Sequence, residues 1–234
     1  MSVDPDQFRT FELECELFDL RVDDVAIWER IRFSVLREIK RQNGMGQAHT
    51  ETNKTLRNYL KGGAVFAKNL FYRNPFLSDS ADIMFVGHQR RKKEPDGYWW
   101  DIYCDPIYEA GDLDTLHLEN HYLLEHRNPT KTDQLRYTDL IVFGDQIQRL
   151  LPFNHVLLSS YEQAQLKRVE KQIQQRFGAE ISLCERVVDI LEERAGRLWL
   201  YQILLDKVDP DIAVVVVSYG KHTFIEACKR NDIP

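Results

Sequence analysis

The chain has 234 residues, 43% of them hydrophobic and 29% charged, a composition that excludes a disordered segment and suits either one large domain or a main domain with a small extension. Its net charge of -6 and pI near 5.7 are the opposite of the basic balance usual for a nucleic-acid binder. No apolar run reaches the ~18 residues that would span a bilayer, and the polar, acidic start (Met1 to Asp6) is not a signal peptide, so a cytoplasmic location is expected.

Residues 11–17 (FELECEL) alternate apolar and acidic side chains, the period of a half-exposed strand. Asp23 and Asp24 stand at the N-cap position of a helix whose stripe is Trp28, Ile31, Val35 and Ile39. The polar stretch 41–58, with Gly44 and Gly46, reads as a loop, and residues 54–77 as partly helical up to Asn74-Pro75. Four strand signals follow, at 82–87 (DIMFVG), 115–122, 139–144 (DLIVFG) and 211–218 (DIAVVVVS). The β-branched run in the last suits a strand buried on both faces. Between the third and fourth runs, Ser159 and Glu162 have capping-box spacing and open a helix with Leu166, Val169, Ile173 and Phe177 on one face, closed by Gly178. Ser182 and Glu185 repeat that spacing before a long stripe of Val188, Leu191, Leu198, Tyr201 and Leu205 that Asp209-Pro210 ends. Residues 222–230 look helical.

Strands alternating with helices predict a Rossmann-like α/β domain over residues 59–234, with a mostly parallel sheet and helices on both faces, preceded by a strand-helix extension and loop over 1–58. Ligands of such sheets bind at the carboxyl ends of strands, which selects the segments after residues 87, 122, 144 and 217.

The densest of these runs from Gly87 through His88, Arg90, Arg91, Lys92 and Lys93 to Asp96, Tyr98, Trp99, Trp100 and Asp101. Arg and Lys neutralise phosphate, aromatic faces pack on sugar rings, and a carboxylate takes a proton from a hydroxyl nucleophile. Against this stands a solvated charge run beside an ordinary aromatic cluster. Glu119 and His121 near the end of the second strand are candidate bases, or else packed or surface residues. His117 and His121 share a face with no obvious third ligand, so no metal site is expected. Ser218, Tyr219, Gly220, Lys221 and His222 form a strand-to-helix turn suited to an anion at the helix N-terminus, or a plain βα turn. The phosphate-binding Walker loop, the dinucleotide fingerprint and the nucleophile elbow are all absent. The cysteines Cys15, Cys104, Cys184 and Cys228 are scattered without a CxxC pair, which reads as free thiols in a reducing compartment.

Residues 14–41, 82–106 and 211–234, about a third of the chain, resemble glycosyltransferases of surface-polysaccharide biosynthesis, in particular the N-terminal half of GT-B-type enzymes. The resemblance implies transfer of a sugar from a nucleotide sugar to a glycan or lipid-linked acceptor, in a cleft between two Rossmann-type domains, with a peripheral place at a membrane and no cofactor. The chain ends at Ile233-Pro234 where a further strand is due, so a missing C-terminal donor-binding domain is expected, with the fragment inactive alone. No catalytic residue carries over from the resemblance. Position and chemistry alone nominate Asp96, Asp101 and Glu119 as bases, and His88, Arg90, Arg91, Tyr98, Trp99, His121, Ser218, Tyr219, Gly220, Lys221 and His222 as binding residues. The rival expectations are a non-catalytic glycan- or partner-binding module and a nucleotide-dependent phosphotransferase that needs a divalent metal.

Overall fold

The computed structural model describes residues 4–44, 67, 72–87, 91–120, 126–149, 156–218 and 220–234. The chain forms two compact units, one of Met1–Asn53 with Phe153–Glu193 and one of Lys54–Pro152 with Arg194–Pro234.

The first unit is helical. Helix α1 (Pro5–Glu14) begins with proline in its first turn, after Asp4, whose carboxylate accepts from the Asp6 amide at 3.0 Å. The strand expected over 11–17 is therefore a correction. Its alternation is an accident of a helix whose buried positions are Phe8, Phe11 and Glu12, while Leu13 is exposed. A short hairpin of β1 (Arg21–Val22) and β2 (Val25–Ala26) leads to α2 (Trp28–Gln42), which buries the expected stripe of Trp28, Ile31, Val35 and Ile39. Asp23 and Asp24 are the left-handed turn of that hairpin rather than a helix cap. The capping box of Ser159 and Glu162 opens α5 (Ser160–Phe177), and Gly178 closes it in the left-handed region. The first part of α6 (Leu183–Val208) completes this unit, whose core holds Phe8, Phe11, Trp28, Leu166, Ile173, Phe177 and Leu191. The Phe11 and Phe177 rings meet edge to face at 5.3 Å and 89°.

The second unit is α/β. Strands β3 (Ile83–Val86), β6 (Thr115–Glu119), β7 (Leu135–Tyr137) and β8 (Ile212–Val215) make one four-stranded sheet in the order β7-β6-β3-β8, with every neighbouring pair parallel. Between β3 and β6 lie a small antiparallel ribbon, β4 (Lys92–Lys93) with β5 (Trp99–Trp100), and helix α3 (Asp105–Ala110). Helix α4 (Asp139–Arg149) follows β7, and α7 (His222–Arg230) follows β8.

Two expectations are corrected here. The run 139–144 is the first half of helix α4, with Ile141 fully buried and Phe143 half-buried. Four apolar residues in a row suit a buried strand or a buried helix equally, and here the close approach of α6 decides. A Cβ on Gly144 would lie 2.8 Å from Leu200 Cδ1, and one on Gly196 would lie 2.6 Å from Asp145 Oδ1. The strand that fills this place in the sheet is β7, which is three residues long and gives no apolar signal. Strand β8 is an edge strand, not one buried on both faces: Ile212 and Val214 are exposed, and the Ala213 amide donates to the Pro234 carbonyl at 3.0 Å.

One face of the sheet is apolar. Met84, Val86, Leu116 and Leu118 pack with Leu198, Tyr201, Leu204 and Leu205 of α6 and with Phe224 and Ala227 of α7. Successive strand side chains point to opposite faces, so His117 and Glu119 stand on the other face, level with Phe85, Leu135 and Tyr137.

Candidate functional site

The second sheet face carries a buried polar cluster near the carboxyl ends of β3 and β6. His117 and Glu119, two apart on β6, are 3% and 1% exposed. Arg91, 3% exposed, brings its Nη2 within 2.7 Å of Glu119 Oε2. That contact is a close charge pair rather than an aligned hydrogen bond, because the well-directed N–H of Arg91 Nη2 goes to the Arg127 carbonyl at 3.0 Å. Arg127 returns a bond to the Arg91 carbonyl at 3.0 Å and lays its guanidinium over the Trp99 ring, 4.8 Å from the centroid.

A turn before α3 adds three more groups. Asp101 Oδ1 accepts from the amides of Tyr103 (2.8 Å) and Cys104 (3.1 Å), and Asp105 Oδ2 accepts from the Asp101 amide at 2.7 Å. These interlocked carboxylates brace the turn that leads into α3, in which Cys104 is buried, 3% exposed. Asp101, Cys104 and His117 each offer a donor atom, and those atoms lie within 4.8 Å of one another.

The electrostatics follow from burial. Loss of water pushes the His117 imidazole down to about 4, opposed by the Asp101 carboxylate and reinforced by the Arg91 and Lys221 cations. Burial raises Glu119, against the pull of Arg91, and raises Asp105. The Cys104 thiol is raised by burial and then by the neighbouring Asp101 charge, so it is protonated at neutral pH. His117 is a neutral ring, and neither of its nitrogens has a hydrogen-bond partner among the described residues. Each unpaired buried polar group costs about 1–3 kcal/mol, so the arrangement is one that packing by itself does not favour. Gly87, which follows β3, is required by the same ring: a Cβ there would lie 2.0 Å from His117 Nε2.

Of the proposed bases, Asp101 and Glu119 belong to this cluster. Asp96 is an exposed turn residue of the β4–β5 ribbon. Its Oδ1 accepts from the Tyr98 amide at 3.1 Å, its Oδ2 pairs with Lys131 at 3.2 Å, and those bonds hold its carboxyl below the usual range. The basic run divides: Arg91 turns inward while Lys92 and Lys93 face solvent. Tyr98 is 40% exposed, and Trp99 and Trp100 are both half-buried. Ser218 and Gly220 are exposed, with Gly220 at φ +72°, and Lys221 and His222 are half-buried at the start of α7. Partial burial and the Arg197 guanidinium push the Lys221 amine down to about 8. His88, Arg90, His121 and Tyr219 lie outside the described residues.

Sequence reasoning passed over Cys104, Asp105, Tyr137 and His126 as site residues and set His117 aside, having found no third ligand on its face. Tyr137 sits level with Glu119 in the sheet, and the His126 ring stacks on it at 3.6 Å while His126 Nε2 lies 3.0 Å from Asp139 Oδ2. For His117 a signal was available in its spacing from Glu119, which puts two titratable groups on a single strand face.

Compared with models of known protein families, with curated proteins and with solved structures, the chain finds no match in any of the three. No described helix is long and apolar enough to cross a membrane.

Proposed function

We propose that the parallel-sheet unit is a Rossmann-like domain that itself binds a phosphate-bearing nucleotide, in place of the missing C-terminal donor-binding domain that the resemblance implies, and that the nucleotide is the donor in a sugar transfer to a glycan or lipid-linked acceptor. The observation that carries this reading is the strand order. Numbering only the sheet's own strands by chain position, the order is third, second, first, fourth, so the direction of winding reverses between β3 and β8. In open parallel sheets, ligands bind in the crevice outside the carboxyl ends of the two strands at such a reversal. The residues after β8 suit an anion there: Gly220 leaves backbone accessible, Lys221 supplies charge, and α7 starts at His222. Arg91 adds a second cation beside the end of β6.

Sugar transfer is supported by the resemblance of residues 14–41, 82–106 and 211–234 to polysaccharide glycosyltransferases. Among the three proposed bases, Glu119 suits the role best. Asp96 and Asp101 are committed to backbone amides, whereas Glu119 is held by a charge contact, and its raised pKa moves it toward the range useful for proton transfer at neutral pH.

Thermal denaturation of the chain with uridine and guanosine diphosphates and their sugar esters tests the reading. A saturating nucleotide raises the midpoint by a few degrees, and Lys221→Gln removes most of that rise. Because burial lowers the Lys221 amine to about 8, the rise shrinks as the pH goes from about 7 to about 9 in the wild-type chain. A chain indifferent to every nucleotide tested overturns the proposal.

A further inference from the structure

We infer that Asp101, Cys104 and His117 form a binding site for a divalent transition-metal ion of the zinc class. The inference needs only the geometry of the buried cluster and stands whether or not the nucleotide reading holds.

Three observations carry it. First, the donor set is right for the ion. A thiolate and an imidazole select zinc-class metals over magnesium or calcium, and an Asp oxygen completes a mixed set common in zinc sites. Second, the spacing is close to that of a formed site. The donor atoms of the three residues lie within 4.8 Å of one another. Bonds of about 2.0–2.3 Å in a tetrahedron place ligand atoms roughly 3.3–3.8 Å apart, so side-chain rotations that close the set by about 1 Å suffice. Third, His117 is only 3% exposed, and among the described residues neither nitrogen of its imidazole has a hydrogen-bond partner. A neutral histidine at this depth normally donates one bond and accepts another. A metal on one nitrogen supplies the interaction that the protein does not.

The surroundings fit the same reading. Asp101 is oriented by the Tyr103 and Cys104 amides, and its own amide is held by Asp105, an outer shell of the kind that fixes metal-binding side chains. Binding displaces the proton of Cys104 Sγ to solvent. The resulting thiolate and the Asp101 carboxylate balance the two positive charges of the ion, while Asp105 and Glu119 offset Arg91 and Lys221 nearby. Three protein ligands leave the fourth position to water or to an oxygen of a substrate, the pattern of catalytic rather than structural sites.

The test uses the full chain, stripped with a chelator and dialysed. Titration with Co2+ is expected to give, at one equivalent, a thiolate-to-cobalt charge-transfer band in the near ultraviolet and the intense visible bands of a four-coordinate ion, both bleached by Zn2+. Cys104→Ser removes the charge-transfer band, Cys184→Ser leaves it, and His117→Asn weakens Co2+ binding at least tenfold. A second measurement needs no variant. Iodoacetamide labelling of the wild-type chain followed by peptide mapping should show Zn2+ slowing modification of Cys104 at least tenfold, with Cys15 unchanged. No charge-transfer band at one equivalent, a band that survives Cys104→Ser, or Cys104 labelling indifferent to Zn2+ overturns the assignment.

Discussion

The helical unit and the parallel-sheet unit each bury carboxylates, and they satisfy them differently. In the helical unit Glu12 is fully buried, and each of its oxygens has a donor. Oε1 accepts from Trp28 Nε1 and Arg32 Nε, both at 2.8 Å, and Oε2 from Arg32 Nη2 at 2.7 Å. In the sheet unit the buried atoms Arg91 Nε and Nη1, Asp105 Oδ1, Glu119 Oε2 and both nitrogens of His117 have no hydrogen-bond partner among the described residues. The first arrangement is what stability requires of a buried charge; the second is destabilising and is expected where function, not packing, sets the residues. The contrast is what the proposed site in the sheet unit rests on, and the helical unit shows no counterpart of it among the described residues.

Four substitutions break or sharpen that contrast. Glu12→Ala strands the Arg32 guanidinium and the buried Trp28 N–H, and is expected to cost about 3–5 kcal/mol in urea denaturation. A cost under about 1 kcal/mol would erase the difference between the units.

His117→Leu should do the reverse. In the metal-free chain it is expected to leave stability at pH 7 unchanged or raised, while ligand binding by the sheet unit falls. It should also flatten the acid limb of stability. His117 has a folded-state pKa near 4 against an ordinary value of 6.5, so the unfolded chain takes up a proton that the folded one refuses. The wild-type chain therefore loses stability as pH falls from about 6.5 to 4, by about 3 kcal/mol from this group, and His117→Leu lacks that loss. Equal acid sensitivity of the two proteins would mean that the ring is not buried neutral.

Gly87→Ala probes the same ring from the neighbouring strand. Its Cβ displaces the imidazole, so it is expected to destabilise by about 1–3 kcal/mol and to weaken metal binding along with it. Full stability would show that the space over Gly87 is not filled by His117. The smallest effect belongs to the helical unit. Ser159→Ala removes the hydroxyl that accepts from the Glu162 amide and should lower stability by about 1 kcal/mol with no change in any ligand response.

Much of the helical unit was legible in the chain because its order is local. The stripes of α2 and α5, the capping box at Ser159 and the closing glycine at 178 all appear where spacing put them. Residues 11–17 were misread because one turn of an amphipathic helix with acidic residues between its apolar ones imitates alternation. The sheet was legible in three of its strands, β3, β6 and β8. It was illegible at β7, which is too short to show a period, and at 139–144, where apolar length alone does not separate strand from helix. The site divides in the same way. Arg91, Asp101, Glu119 and Lys221 were within reach of a rule about loops after strands, while Cys104 and Asp105 were not.

By itself the sequence determined the chemistry carried at the end of each strand, the helix stripes and caps, and the mixed α/β character, because those depend on neighbours within a turn or two of chain. Only the tertiary structure decided that Arg91 leaves a basic run to face Glu119, that β8 takes an edge, and that a cysteine and an aspartate after the β4–β5 ribbon meet a histidine in mid-strand. Parallel pairing joins residues far apart in sequence, and which side chains share a buried space is fixed by strand order and register, which no local pattern encodes.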